Sequence, residues 1–299
     1  MATKFLEVTE FSGVDEDLSP NYQGIVVPLN GANRVMLGNG AGLTVRANLP
    51  SMVTVKEITS NYPVNLTADQ TANLKSQALR LFEISADVVS GMDKAYVTAK
   101  DSKGVEKAKL KVLVLRPRPA TISIRAIYVI QGTQEVRLAK ESSGAQSLVD
   151  AMNVIWTPQA NVVFTLGSPD KAVIKGISPQ ATGVDITNSA IMKELIAVKG
   201  STKGLTAFMV NQAIDNGKDV NGVTDASVGI ALISDKRSDS TIAHEAGHYL
   251  GAVDDKGKFS SKYGHPGSQA AAMLMRDGGA GRKIPYGMAS DFNKGYTSK

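Results

Sequence analysis

Residues 244–255 read HEAGHYLGAVDD. Two of the chain's three histidines stand here four positions apart, and the stretch closes on a pair of aspartates. On a helix, residues i and i+4 lie one above the other on one face, so the imidazoles of His244 and His248 reach a common point. Ser238-Asp239-Ser240 supplies N-cap residues for such a helix immediately upstream. Glu245, next to the first histidine, is placed to hydrogen-bond a water at that point without being a ligand itself. Zinc suits two neutral imidazoles and one further nitrogen or oxygen donor, with a fourth position open for water.

The third donor has to be found downstream. Glu245 is the last glutamate of the chain, which removes the arrangement in which a later glutamate completes the site. The donors that remain are Asp254, Asp255, His265, Asp277 and Asp291. Spacing favours Asp254. Gly251 stands three residues after His248, where helices commonly end in a left-handed bend, and three residues beyond it a side chain turns back toward the ion. Asp255 and His265 are the substitutes.

The run from His244 through Gly251 to Asp254 resembles the metzincin signature HExxHxxGxxH with aspartate in the final slot. That variant is similar to the snapalysin-type branch, whose third ligand is an aspartate. The resemblance implies that His244, His248 and Asp254 hold zinc, that Glu245 is the general base and that Gly251 makes the turn. Metzincins also place a methionine turn below the metal, and AAAMLMRDGG at 270–279 supplies one, with Met275 the expected turn residue and Met273 the alternative. Two departures stand out. Some members carry a tyrosine two residues after that methionine, where this chain has Asp277, leaving Tyr286 as the substitute. Met275 also lies 21 residues beyond Asp254, a longer gap than in compact members. The resemblance covers residues 120–299 and is silent about what precedes them.

What it implies is peptide-bond hydrolysis by a zinc endopeptidase, with zinc activating water and Glu245 taking its proton. The expected partner is a protein or peptide, envelope components among them, lying extended along a strand edge. SVGIALIS at 227–234, or the segment just before it, is the expected edge. A zinc hydrolase of peptidoglycan cross-links, exported or injected as an antibacterial effector, is the alternative. A docking protein with a vestigial metal site is a third reading, against which the intact Glu245 counts. No inhibitor partner is legible.

Composition agrees with an ordinary globular chain: 299 residues, 42% hydrophobic and 20% charged. There is no cysteine, which excludes disulfides, thiolate zinc sites and thiol nucleophiles. Net charge is +5, and residues 256–299 hold eight Lys/Arg against two Asp, a solvated basic surface or a rim attracting anions. Aromatic residues are too few among those charges for nucleic-acid stacking. No apolar run is long enough to span a bilayer, and the first residues lack a basic region followed by an apolar one. The expectation is secretion or delivery without a visible signal peptide, with residence in the cytoplasm left open.

A seam falls at Leu115-Arg116-Pro117-Arg118-Pro119, where alternating prolines favour extended chain. Before it, RVMLG, GLTVRANL, MVTVKEI, AYVTAKD and KAKLKVLVL alternate as half-buried strands, and Asp101–Gly104 reads as a hairpin turn. After it, ISIRAIYVIQ reads as a strand and SSGAQSLVDAMNVIW as a helix with Leu148, Met152 and Ile155 on one face. NVVFTL, GLTAFMV and SVGIALIS are further strands. The expected fold is two domains. An all-β sandwich over residues 1–117 is similar in pattern to bacterial immunoglobulin-like modules. An α/β (α+β) metzincin-type catalytic domain follows over 118–299.

Overall fold

The structure, a computed structural model, describes residues 3–8, 23–63, 66–91, 94–140, 144–167, 171–238 and 240–251. It also describes the separate positions 274, 275, 282, 284, 289, 290, 292 and 293. The described chain is mostly β with few helices, four among eighteen strands. It divides into two units. The first is residues 1–118 with 156–161 and 283–293; the second is 119–155 with 162–282 and 294–299.

In the first unit the strands are β1 (Lys4–Glu7), β2 (Gln23–Pro28), β3 (Gly31–Gly38), β4 (Thr44–Ala47), β5 (Val53–Ile58), β6 (Leu79–Ala86), β7 (Ala95–Lys100) and β8 (Glu106–Leu115). A single helix, α1 (Ala68–Lys75), lies between β5 and β6. The strands form two four-stranded sheets, ordered β1-β3-β6-β5 and β2-β8-β7-β4. One core draws on both: Val35, Leu37, Phe82 and Ile84 from the first sheet, Ile25, Val27, Val97, Leu110, Val112 and Val114 from the second. This is a sandwich, held by the alternate apolar positions of each strand. The alternation of β8 is the expected one, with Leu110, Val112 and Val114 fully buried and Lys109 and Lys111 half-buried on the other face. The hairpin turn is also as expected. Asp101 O accepts from Gly104 N–H at 2.9 Å, Asp101 Oδ1 accepts from Lys103 and Val105 N–H, and Gly104 adopts φ 80°.

Leu113 and Leu115 are buried as well, against simple alternation. Segments far along the chain meet in the same unit near the end of β8. Asn161 Nδ2 donates to Leu115 O at 2.7 Å, Asn293 Nδ2 donates to Arg116 O at 3.0 Å, and Trp156 meets Phe292 edge-on at 5.1 Å.

In the second unit run β9 (Arg118–Gln131), β10 (Gln134–Arg137), α2 (Ala145–Ala160), β11 (Val162–Leu166), β12 (Ala172–Val173), β13 (Val184–Asp185) and α3 (Ser189–Lys199), except that Arg118 and the last turn of α2, from residue 156, belong to the first. There follow β14 (Leu205–Val210), β15 (Ala213–Asp215), β16 (Lys218–Val220), β17 (Gly222–Asp225), β18 (Ile230–Ser234) and α4 (Thr241–Gly251). The central sheet is ordered β10-β9-β14-β18-β17, with β11 and β12 also on β9. β14 is parallel to both β9 and β18, whereas β17 is antiparallel to β18 and is the last strand of the sheet among the described residues. Every residue of β14 and β18 is buried, as befits parallel strands covered on both faces. One face carries Ile127, Phe208, Val210, Ile230 and Leu232, packed with Leu195 of α3.

The helix expected at 142–156 runs from Ala145 to Ala160 and continues through Pro158. Met152 and Ile155 are buried as expected, and Val149 and Trp156 complete the inward face, whereas Leu148 is only half-buried. Of the two segments named for the substrate edge, SVGIALIS contains β18, which is interior because β14 and β17 flank it; the other, the segment just before it, forms β17, the last strand of this sheet among the described residues.

Candidate metal centre

α4 starts where the sequence places it. Ser240 O accepts from His244 N–H at 2.9 Å, opening the helix, and Ser238 O accepts from Thr241 N–H at 3.1 Å. Thr241 Oγ1 accepts in turn from Ser238 N–H at 3.0 Å, so the two residues satisfy each other across the helix entry. The helix packs against β14, β17 and β18 and is buried along nearly its whole length.

His244 and His248 project from one face with ring centroids 4.8 Å apart and their Nε2 atoms 3.1 Å apart. His244 Nδ1 lies 2.5 Å from Leu274 O. A carbonyl oxygen only accepts, so Nδ1 carries the proton in this bond, and in the neutral ring that leaves the lone pair on Nε2. Such a bond to the remote ring nitrogen orients a metal-binding imidazole. Leu274 and Met275 are both buried, so the residue named for the methionine turn directly follows the carbonyl that orients His244.

The donor chemistry fits zinc. Two nitrogens on a tetrahedral zinc, each about 2.05 Å from it, stand about 3.3 Å apart; the Nε2 separation of 3.1 Å is close to that. Among the described residues no group of three His, Asp or Glu side chains gathers to hold a metal. The expected third ligand, Asp254, lies outside the described residues, as do Asp255, His265, Met273, Asp277 and Tyr286. Gly251 is the last residue of α4, and the bend expected after it lies outside them too.

Glu245 is 3% exposed. Thr224 Oγ1 donates to its Oε2 at 2.7 Å and also reaches its backbone O at 3.2 Å. Burial pushes the Glu245 carboxyl up to about 8, with the Thr224 hydrogen bond acting the other way and the charge of Asp215 adding to the rise. A divalent cation nearby would favour the carboxylate form that a base requires.

Two contributors escaped the sequence reading: the Leu274 carbonyl and Thr224. Neither has a local signal, since each acts on α4 from a distant part of the chain.

No family model matches the chain, and no curated protein matches it. Among solved structures, an immunoglobulin-like domain of the giant muscle protein titin, of the I set, is 17% identical over 30% of this chain and 90% of that one, with a TM-score of 0.18. A sialyltransferase from Photobacterium damsela is 11% identical over 66% of this chain, with a TM-score of 0.21. This chain spans only 36% of that enzyme's length. Likenesses this slight carry no argument about fold or chemistry. No helix among the described residues is long and apolar enough to cross a membrane.

Proposed function

We propose that this protein is a zinc-dependent endopeptidase of metzincin type, with an immunoglobulin-like sandwich over residues 1–117 preceding a catalytic domain over 118–299. The observation that carries the reading is the convergence of His244 and His248 Nε2 to 3.1 Å on α4, with Leu274 O on the far nitrogen of His244. The chain order supports it as well: strand β9, helix α2, strands β11, β14 and β18, then the histidine helix α4.

His244, His248 and Asp254 would hold the ion. Zinc bound there supplies Lewis-acid activation of a water and of the scissile carbonyl. Glu245 takes the proton of the attacking water on its carboxylate and passes it to the departing amine. Burial of Glu245 keeps bulk water from competing for that proton. An extended peptide pairs main chain to main chain along β17, the last strand of the sheet among the described residues.

The test is digestion of casein and of peptidoglycan by zinc-loaded protein, with Glu245→Ala as control. Casein cleavage that disappears in the variant supports the endopeptidase. Release of muropeptides in place of casein cleavage would replace it with a cross-link hydrolase. Activity that persists in Glu245→Ala would refute the assigned role.

A further inference from the structure

Helix α4 fixes only the Cα–Cβ direction of Glu245; the position of its carboxylate depends on what meets the end of the side chain. Two residues of β17 do so. Thr224 Oγ1 donates to Oε2 at 2.7 Å. Two residues earlier, a Cβ built on Gly222 would stand 2.7 Å from Glu245 Oε1, 2.9 Å from Glu245 Cγ and 2.8 Å from Thr241 Cγ2. Residues i and i+2 of a strand share one face, so Gly222 and Thr224 present a gap and a donor side by side to α4.

The glycine is there for space. Its φ is not among the positive ones, so the backbone at 222 suits any residue, and it is the approach of Glu245 and Thr241 from α4 that forbids a side chain. Register then becomes critical. β17 pairs with β18 as Gly222↔Ile233 and Thr224↔Ala231. A slip by one would bring Val223 against the carboxylate in place of the gap and the hydroxyl.

We propose that β17 positions the Glu245 carboxylate for proton transfer, with Thr224 as a positioning residue through its hydroxyl and Gly222 as the cleared backbone beside Oε1. This rests on the peptidase reading of the site. A charge-assisted hydrogen bond of this kind is lost when the hydroxyl is replaced by a methyl of similar shape.

The experiment compares Thr224→Val, Thr224→Ser and Gly222→Ala with the wild type, all zinc-loaded. It measures kcat and KM on a peptide substrate, bound zinc by mass spectrometry and the thermal midpoint. Thr224→Val is expected to lower kcat by about ten- to a hundredfold, with KM and bound zinc unchanged. Thr224→Ser restores most of the rate, since it keeps the donor. Gly222→Ala lowers kcat without releasing zinc. Where the valine variant does not fold, Thr224→Ala serves in the same comparison. Wild-type kcat in Thr224→Val, or equal losses in the serine and valine variants, would overturn the proposal while the peptidase reading stands. A wild-type chain that binds zinc yet hydrolyses no peptide overturns that reading, and this inference with it.

Discussion

Thr206 and Ser123 face each other across β14 and β9, both fully buried. Neither hydroxyl has a hydrogen-bond partner among the described residues. A buried polar group left without one costs free energy that a methyl in its place does not. Thr206→Val should therefore raise the urea midpoint, by about 1 kcal/mol of stability; a lowered midpoint would show that the hydroxyl is hydrogen-bonded in solution. At the proposed zinc site, Asp254→Ala is expected to weaken zinc binding by about tenfold or more if Asp254 is the third ligand, since losing a ligand should cost at least what losing an outer-shell partner does. Full zinc occupancy in that variant would assign the third ligand elsewhere. His244, Glu245 and His248 were legible because their spacing on a helix is set by local geometry. Thr224 was not, because its contact with Glu245 joins residues 21 apart through a sheet whose register no single segment announces.

Between elements, the clearest charged contact joins neighbouring strands. Arg80 of β6 grips Glu57 of β5 through Nε at 2.7 Å and Nη2 at 2.6 Å, donates to Gly40 O and Leu43 O, and lies over the Phe82 ring at 5.0 Å. The Arg80 hydrogen bonds hold the Glu57 carboxyl below its ordinary value. A lowered acid stabilises the fold above its unfolded value, and that contribution disappears as pH falls through the folded one. Glu57→Gln should then cost about 0.5–1 kcal/mol at neutral pH, discounted for the exposure of the pair. In an acid denaturation series the difference from wild type should begin to shrink below about pH 4.3 and vanish only once the pH is below the lowered folded value. Equal stabilities at pH 7 would show the pair contributes nothing. Other elements carried signals that the sequence reading passed over. α1 has a capping box between Thr67 and Gln70, and α3 has Asn188 accepting from Ala190 and Ile191 N–H before Ile191, Leu195 and Val198. The half-buried GVTD of β17 has no such signal. Four residues with no alternation are a strand only because β18 is there to pair with.

On the scale of the whole molecule, a ligand that binds only the folded state stabilises it by mass action. Free zinc a hundredfold above its dissociation constant should add about 2.7 kcal/mol to the unit containing α4. Calorimetry should show this as a rise in one transition that a chelator reverses; no shift with zinc would count against the centre. The sequence by itself determined the alternating strands of the sandwich, the apolar runs that become β14 and β18, and the histidine helix, because each follows from side-chain pattern and helix geometry within about fifteen residues. Only the tertiary structure decided that residues 156–161 and 283–293 group with the first unit, through contacts such as Asn161 Nδ2 donating to Leu115 O at 2.7 Å and Asn293 Nδ2 donating to Arg116 O at 3.0 Å. It alone decided that β17 lies against Glu245 and that a distant carbonyl orients His244. Those contacts pair backbone and side-chain groups that every residue type carries, so their partners are selected by packing and register rather than by anything written locally in the chain.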